Sequence, residues 1–503
     1  MKLRLRCVAA LVLLPALAAA QYLEEFEKRV TEFTLANGMH FIVAERHQAP
    51  VVSFHAYVNA GAVNDPNGKT GLAHMFEHMI GKGTIEVGTR NWPEEKKALE
   101  RVEAIYDELE MERRKGKQAD AGRIEALEKE LQAAMKKANS YVVQNEFPRV
   151  VEQNGGVGFN AGTGMDSTQY FYSLPANRVE LWFLLQSEWF LQPVYREFYK
   201  ERDVVREERR MRIESSPQGK LYEAFLGAAF IAHPYKTAIG WASDIEHLRA
   251  KDAAWFHKTY YVPSNITIAI VGDVDPGRMR ELAEKYYGRI PAGPPPPPVI
   301  TVEPEQYGER RVTVESPAQP MLMIGYKRPN QTDPDDPVFD VLSGVLASGR
   351  TGMIYKELVR DKKIALAAGS AAAFPAGKYP TLFLLYAVPN VGHTVEENEK
   401  ALYDIIERLK KEKVDEETLK RVKTKVRAGV IRGLDSNPGL ASQLAFYHAA
   451  YGDWRMLFKT IDIIDRVTAD DIQRVVRKYF VPKHRTVAYH VKPTAEAGEE
   501  GAK

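Results

Sequence analysis

The sequence predicts an α+β fold of two homologous halves, each an α/β sandwich in which helices cover an antiparallel sheet. Three observations lead to this prediction. The chain has 503 residues, more than one ordinary hydrophobic core holds, so at least two domains are expected. Strand-like and helix-like segments interleave without a glycine-rich nucleotide-binding signature. The segments on either side of residues 294–298, which are five consecutive prolines, resemble each other.

The strand and helix predictions rest on local patterns. Residues 51–58 and 265–271 are β-rich runs bounded by turn residues. Residues 199–213 and 415–433 have the spacing of helices. Both kinds of segment occur in each part of the chain, which favours a mixed fold over an all-helical or all-strand one.

The duplication is visible as matches at one offset. Residues 260–263 read Tyr-Tyr-Val-Pro and are followed by Thr267, whereas residues 479–482 read Tyr-Phe-Val-Pro and are followed by Thr486. Both matches are 219 positions apart (482 − 263 and 486 − 267), and the preceding helices match at the same offset. Several matches at one offset indicate a duplicated fold unit. The proline run is stiff and extended, which is typical of an inter-domain linker.

The N-terminus has the pattern of a secretory signal. Basic residues at positions 2, 4 and 6 precede a short apolar run, and residues 18–20 are three alanines that suit cleavage. The alternative is a membrane anchor, but the run is too short to span a bilayer comfortably. The only cysteine, Cys7, lies in this leader, so the mature chain has none. We therefore expect a periplasmic or secreted protein without disulfides.

Residues 93–146 differ from their surroundings. They are rich in Glu, Lys, Ala and Leu, and their apolar positions recur at spacings of three and four, as in amphipathic helices. Gly116 and Gly122 lie between the two periodic stretches. We interpret the segment as a helical hairpin inserted into the first half, with its charges on a solvated face or, alternatively, on a docking surface. The predicted organisation is a signal peptide (1–20), a first half (21–290), a linker (291–300), a second half (301–495) and a disordered tail (496–503).

A metal-binding pattern lies in the first half. His74 and His78 are four residues apart, so on a helix both imidazoles lie on one face and can reach one ion. Glu77 lies on nearly the same face, as suits a base that deprotonates a water activated by zinc. The alternative is a surface helix with two incidental histidines. A catalytic zinc site needs a third protein ligand, which must come from elsewhere.

The charged helix at residues 201–208 is the natural source of that ligand. Glu201 and Glu208 are seven positions apart, which is two helical turns, and so share a face. One carboxylate can bind the metal while the other orients a ligand. The alternative is an exposed helix laced with salt bridges.

Several ordered motifs together resemble the pitrilysin/insulinase (inverzincin) family of metallopeptidases, and the layout is most similar to its mitochondrial-processing-peptidase-like branch, whose bacterial members are often periplasmic. The resemblance covers essentially the whole mature chain. The motifs that carry it are the H-x-x-E-H order of His74, Glu77 and His78, the lead-in Gly71-Leu72-Ala73, residues 78–84 (His-Met-Ile-Gly-Lys-Gly-Thr), Gly155-Gly156, Asn160-Ala161-x-Thr163, Asp166-x-Thr168-x-Tyr170, and Glu201-Arg202-Asp203-Val204-Val205 ending in Glu208.

The resemblance implies a clam-like zinc endopeptidase that cleaves extended or unfolded peptides. It implies one Zn²⁺ per chain on His74, His78 and Glu208, with Glu77 as base and Glu201 as supporting acid. His78 and Glu208 are 130 positions apart, and removing the 54 residues of 93–146 leaves 76, close to the family spacing. The insert therefore accounts for the long separation.

The resemblance also implies substrate contacts. Asn160 and Ala161 match the edge strand on which a peptide pairs as an added strand; alternatively, Asn160 is an ordinary turn residue. Arg360 matches a substrate-binding arginine, but the tyrosine expected shortly after it is replaced by Leu366, or by Ala367 in a shifted register. An aliphatic side chain cannot donate a hydrogen bond to an oxyanion.

The missing tyrosine leads to a partner hypothesis. We expect a heterodimer with a paralogous, zinc-free subunit that supplies an Arg/Tyr pair, with a homodimer as the alternative. A non-catalytic scaffold subunit is a second interpretation of the chain, and a hydrolase of non-peptide substrates is a third. The net charge of +2 does not suggest a nucleic-acid partner, and no segment of the mature chain approaches a membrane span.

Overall fold

A computed structural model describes residues 25–237 and 239–493. The predicted signal peptide at 1–20 and the predicted tail at 496–503 lie outside the described residues. The structure confirms two halves, each built on a β-sheet with helices packed against it.

The strands are β1 (Val30–Thr34), β2 (His40–Glu45), β3 (Val51–Val58), β4 (Val157–Thr163), β5 (Thr168–Pro175), β6 (Ile266–Gly272), β7 (Arg310–Glu315), β8 (Leu322–Arg328), β9 (Ala365–Phe374), β10 (Thr381–Pro389) and β11 (Arg485–Val491). The helices of the first half are α1 (Leu72–Glu77), α2 (Trp92–Arg114), α3 (Ala121–Asn139), α4 (Glu146–Gln153), α5 (Val179–Leu191), α6 (Phe198–Arg209), α7 (Pro217–Ala229), α8 (Ala242–Glu246), α9 (Ala250–Tyr260) and α10 (Pro276–Tyr286). Those of the second half are α11 (Asp336–Ala347), α12 (Val395–Lys411), α13 (Glu416–Gly433), α14 (Asn437–Tyr451), α15 (Met456–Arg466) and α16 (Ala469–Tyr479).

The two sheets have matching strand orders. The first is β1-β2-β6-β3-β5-β4 and the second is β7-β11-β8-β10-β9. The five strands from β2 to β4 correspond in order and direction to the five from β7 to β9, and β1 is an addition to the first half. The repeated segments at residues 260–263 and 479–482 lie just before β6 and β11, which occupy equivalent places in the two sheets.

The sheets depart from the predicted antiparallel arrangement at one pair of strands in each half. β2 and β6 pair in parallel, as do β7 and β11, while the other neighbours are antiparallel. β6 and β11 follow long helical excursions, and such crossover connections allow a strand to return in parallel. Each half therefore has a mixed sheet with one parallel pair.

The halves exchange helices. From the second half, α14 packs Leu440 and Leu444 against Ile42 and Val271 of the first sheet. This packing buries apolar surface of one half under a helix of the other, so the halves share part of their hydrophobic cores.

The reverse exchange places α7 of the first half on the second sheet, where Leu221 and Phe225 pack with Met323 and Leu382. A Cβ atom at Gly325 in β8 would lie 2.6 Å from the Phe225 ring. The glycine therefore makes room for the exchanged helix, because real Cβ atoms do not approach a ring that closely.

Two long helices, α2 and α3, occupy most of residues 93–146 and pack along each other. Each begins with a side-chain cap, from Asn91 and Asp120 respectively. Their inner positions Ile105 and Leu127 are buried in the core of the first half. Within the described part of the chain, no helix is both long enough and apolar enough to cross a membrane.

Candidate metal centre

Helix α1 is held at its start by the half-buried carboxylate of Asp65. Asp65 accepts hydrogen bonds from the backbone N–H groups of Gly71 (2.7 Å) and Ala73 (2.8 Å), which have no partner within the helix. Gly71 has φ 90°, and a Cβ there would lie 2.8 Å from the carbonyl oxygen of Ile239. The glycine is required both by the left-handed backbone and by the close approach.

The two faces of α1 differ in chemistry. Its apolar side chains Leu72, Met75 and Phe76 are fully buried. This burial turns His74, Glu77 and His78 toward a cleft of ≈ 970 Å³ on the opposite side. The period of the helix therefore decides which side chains remain available for chemistry.

His74, His78 and Glu208 converge on one point. The Nε2 atoms of His74 and His78 lie 3.7 and 3.5 Å from Oε2 of Glu208. The two imidazole rings are perpendicular, at 90°, with centroids 4.8 Å apart. One ligand atom from each residue lies within 4.8 Å of the others. Two imidazoles and a carboxylate in this arrangement form a donor set that suits zinc and leaves room for a fourth ligand.

The imidazoles differ in proton affinity. Burial, together with the neighbouring His78 and Arg212, lowers the pKa of His74 to about 3. Burial also acts to lower the pKa of His78, but the carboxylates of Glu201, Glu77 and Glu208 outweigh it and the pKa is raised. His74 is thus neutral at physiological pH, which is the form that binds a metal.

Glu201 supports His78 from the side opposite Glu208. Its Oε2 lies 3.5 Å from Nδ1 of His78, and its Oε1 accepts a hydrogen bond from Nζ of Lys82. Burial acts to raise the pKa of Glu201, but the hydrogen bonds with His78 and Lys82 lower it to about 2. Glu201 therefore stays ionised and can hold the imidazole through Nδ1.

Glu77 lines the same cleft and is half-buried. Burial raises its pKa, and the Glu208 carboxylate adds to this, whereas His78 and Thr163 act in the opposite direction. The net shift is upward. A carboxylate with a raised pKa accepts a proton more readily than an ordinary surface glutamate.

The edge strand β4 forms one wall of the cleft. β4 pairs with β5 on one side only, and Asn160 and Ala161 lie both in this strand and in the cleft wall. The side chain of Asn160 accepts a hydrogen bond from the N–H of Ala161 (2.9 Å). A strand at the edge of a sheet can pair with a further extended segment.

Arg360 lies outside this cleft. It is exposed in the π-helical turn Tyr355–Asp361, and its guanidinium makes two hydrogen bonds to the adjacent Asp361 (2.6 and 2.9 Å). Leu366 is 55% exposed in the edge strand β9. The structure therefore brings together every residue predicted for the site except Arg360.

The structure contains another His/His/Glu group that the sequence did not reveal. Glu32, His40 and His448 also offer ligand atoms within 4.8 Å of one another. The rings of His40 and His448 stack in parallel, at 3° and a centroid distance of 3.7 Å. The lone pairs of parallel stacked imidazoles lie in separate planes, so they do not converge on one ion as the perpendicular rings of His74 and His78 do.

Sequence reasoning also missed the ion pair of Lys82 with Glu201. The signal was present in residues 78–84, where Lys82 follows the histidine motif closely. Its partner, however, is 119 positions away, and no local pattern indicates a contact at that distance.

Two family descriptions match the chain: "Insulinase (Peptidase family M16)" over residues 41–110 and "Peptidase M16 inactive domain" over residues 247–426. The zinc protease PqqE of Helicobacter pylori is 28% identical over 494 residues, which cover 95% of this chain and 96% of that protein.

Solved structures are similar over nearly the whole chain. A protease from Helicobacter pylori has a TM-score of 0.76 and 26% identity, covering 92% of this chain and 99% of that one. The periplasmic protease PqqL from Escherichia coli has a TM-score of 0.67 and 14% identity. That similarity covers 94% of this chain but 49% of PqqL, so the fold of this chain accounts for about half of the longer protein.

Proposed function

Because the chain carries domains of the peptidase M16 (insulinase/pitrilysin) family, we propose that it is a zinc-dependent endopeptidase that cleaves extended or unfolded peptides. The observation that carries the proposal is the convergence of His74, His78 and Glu208 in a cleft that also contains Glu77. The similarity to a protein named zinc protease supports the same chemistry.

One zinc ion per chain would be held by His74, His78 and Glu208. When bound there, zinc would supply Lewis-acid polarisation of the scissile carbonyl and make water a nucleophile near neutral pH. Glu201 holds the ring of His78 through Nδ1, which leaves Nε2 free to bind the metal.

Glu77 is the general base. It takes a proton from the attacking water and returns it to the leaving amine. Two features support this role: Glu77 is one residue from a metal ligand on the cleft side of α1, and its pKa is raised by burial. The carboxylate therefore accepts the proton at moderate cost and can give it up again.

The free edge of β4 binds the substrate. An extended peptide that pairs with Asn160 and Ala161 lies along the wall of the cleft that contains Glu77. Main-chain pairing imposes little side-chain preference, and it requires a segment that is not already part of a folded core. Flexible or unfolded chains are therefore the expected substrates.

A paralogous, zinc-free subunit completes the site, with a homodimer as the alternative arrangement. The side chain of Leu366 has no hydrogen-bond donor for an oxyanion, and Arg360 is paired with Asp361 outside the cleft. In PqqL a single longer chain contains this fold over about half its length, which supports pairing of two such units. The predicted signal peptide and the name "periplasmic protease PqqL" support a periplasmic location.

The alternative function is a non-catalytic scaffold subunit. The family description that matches residues 247–426 is itself that of an inactive domain. The retention of His74, Glu77, His78 and Glu208 in one cleft favours catalysis, because a scaffold has no need of a base beside a complete set of metal ligands.

The first prediction tests the base. Glu77→Gln is expected to retain zinc and to lower kcat by about 10²–10⁴-fold, because a general base typically contributes that factor. The measurement is cleavage of an unfolded, fluorescently quenched polypeptide, with metal content determined in parallel. The chain is assayed alone and after co-expression with a zinc-free paralogue.

Glu207→Gln is the matched control, since Glu207 lines the same cleft but is paired with Arg210. It is expected to leave kcat nearly unchanged. Equal activity of Glu77→Gln and the parent would refute the assigned base. Full activity of the isolated chain would contradict the need for a partner, and a zinc-loaded chain inactive in both preparations would favour the scaffold.

A further inference from the structure

A buried ion pair joins the inserted hairpin to the rest of the first half. The side chains of Arg196 and Glu95 are 1% and 0% exposed. Nε of Arg196 donates to Oε1 of Glu95 at 2.8 Å, and Nη2 of Arg196 lies 3.3 Å from Oε2 of Glu95. Glu95 lies in the first turn of α2, the first helix of the hairpin. Burial of two charges is costly, so such a pair persists only with good geometry and further hydrogen bonds.

Arg196 uses its remaining donors on the loop that follows the histidine motif. Its Nη1 atom donates to the carbonyl oxygens of Lys82 (2.5 Å) and Val87 (3.0 Å), and its Nη2 atom donates to the carbonyl oxygen of Thr84 (2.9 Å). The guanidinium is thus saturated by one carboxylate and three carbonyls. Arg196 holds residues 82–88 in one conformation relative to the hairpin.

The loop is shaped to admit the guanidinium. Gly83 and Gly88 have φ 89° and 94°, which favour glycine. A Cβ atom would also lie close to Nη1 of Arg196, at 3.1 Å from position 83 and at 2.7 Å from position 88. Both glycines therefore allow the arginine to lie against the backbone of the loop.

Lys82 links the loop bound by Arg196 to the metal centre. Its Nζ lies 2.5 Å from Oε1 of Glu201 and 3.4 Å from Oε2 of Glu197. The other oxygen of Glu201 faces Nδ1 of His78 at 3.5 Å. Because Lys82 engages one oxygen, the second is directed at the imidazole. The contacts run without interruption from Glu95 to His78.

An independent contact joins the hairpin to α6, the helix that carries Glu201 and Glu208. The ring of Tyr106 in α2 stacks on Tyr199 in α6 at a centroid distance of 4.2 Å. Nη2 of Arg202, which is also in α6, donates to the hydroxyl of Tyr106 at 3.0 Å. The hairpin therefore contacts α6 directly and the loop after the histidine motif through Arg196.

We propose that the hairpin of α2 and α3 braces the metal centre, and that Glu95, Arg196 and Lys82 are positioning residues for His78. The inference rests on the proposed zinc site, but it assigns the insert a role that the proposed reaction does not require. Loss of the brace leaves the ligands in place and loosens the orientation of Glu201 and the His78 ring. Changes to such outer partners typically weaken metal binding by about 10–100-fold.

The test measures zinc dissociation constants by competition with a chelator, and Co²⁺ absorption spectra of the substituted chain. Lys82→Met is expected to weaken zinc binding by about 10–100-fold and to change the Co²⁺ spectrum. Lys82→Arg, which keeps a cation beside Glu201, is expected to restore most of the affinity. Glu95→Gln and Tyr106→Leu are expected to weaken binding in the same direction.

The matched controls lie on the outer face of the hairpin. Arg101→Met and Glu130→Gln break an ion pair between α2 and α3 that is exposed to solvent, and they are expected to leave the zinc dissociation constant unchanged. Circular dichroism and thermal unfolding of the metal-free chains identify variants that fail to fold. The side chain of Lys82 is partly exposed, unlike those of Arg196 and Glu95, so its substitution is the one most compatible with folding. If the Lys82→Met chain unfolds, Tyr106→Leu carries the test.

Wild-type zinc affinity in a folded Lys82→Met or Tyr106→Leu chain would overturn the brace. Equal losses of affinity in the outer-face controls would also overturn it, since the effect would then be general destabilisation. A parent chain that binds zinc but cleaves no peptide, either alone or with the zinc-free paralogue, contradicts the proposed function and leaves the brace intact. A parent chain that binds no zinc contradicts both.

Discussion

The two halves have the same scaffold but different chemistry. After its second equivalent strand (β3 or β8), each half places a helix (α1 or α11), and after its fourth (β5 or β10) a series of five (α5–α9 or α12–α16). In the first half, α1 and α6 present His74, His78 and Glu208 to one cleft. The corresponding α11 and α13 contain no histidine, and α11 buries Val341 and Val345 at the same four-residue spacing. The sheet therefore supplies the framework, and a few side chains on two helices decide whether a half can bind metal.

The largest effect is expected from removing a ligand. His78→Ala should reduce zinc affinity by more than the roughly 10–100-fold typical of outer partners, and peptidase activity should fall with it. His393→Ala should leave metal content unchanged, because His393 is a partly exposed histidine of the second half that pairs with Glu397. Metal analysis after dialysis and a chelator titration would measure both. If the His78→Ala chain retained one zinc ion per chain, His78 would not be a required ligand, and the proposed difference in metal binding between the halves would be wrong.

The next prediction tests whether α7 on the second sheet and α14 on the first sheet contribute similarly to stability. Leu226 in α7 and Leu444 in α14 are fully buried in the two shared cores. Each change to alanine should lower the free energy of unfolding by about 2–5 kcal/mol, because it leaves a cavity where one half covers the other. Denaturant unfolding measures the change.

Leu366→Ala is the control for this pair, since Leu366 is 55% exposed. It should change the free energy of unfolding by no more than about 0.5 kcal/mol. A loss of stability in only one of the two buried variants would mean that one half folds independently of the exchanged helix.

The smallest effect concerns the contact of His40 in β2 with His448 in α14. Burial lowers the pKa of His40 to about 4, with the neighbouring His448 acting in the same direction and Glu32 opposing it. The ordinary value for histidine is about 6.5. Between these values the unfolded chain binds a proton that the folded chain does not, so acidification favours unfolding.

Stability should therefore fall as the pH drops from about 6.5 to about 4, by at most about 3 kcal/mol from this group. His40→Phe keeps an aromatic ring against His448 but cannot titrate, so its stability should depend less steeply on pH over this range. Unfolding by denaturant at several pH values would compare the two chains. If the free energy of unfolding fell equally with pH in the parent and in His40→Phe, His40 would not be the source of the pH dependence.

Local patterns in the sequence were sufficient for much of the metal centre. The four-residue spacing of His74 and His78 and the seven-residue spacing of Glu201 and Glu208 each place two side chains on one helix face. The period of an α-helix decides this without any tertiary contact. The duplication was equally readable, because a repeated fold unit keeps its pattern at one offset.

Only the tertiary structure decided how those pieces meet. Oε2 of Glu208 lies 3.5 Å from Nε2 of His78 although the residues are 130 positions apart, and Arg360 stays outside the cleft. The parallel pair in each sheet, the exchanged helices and the path from Glu95 through Arg196 also depend on long-range packing. Helical spacing acts over one or two turns, whereas these contacts follow from the burial of apolar surface across the whole chain. The sequence by itself determined which residues could bind a metal, and the packing of α1 against α6 and the hairpin decided where they converge.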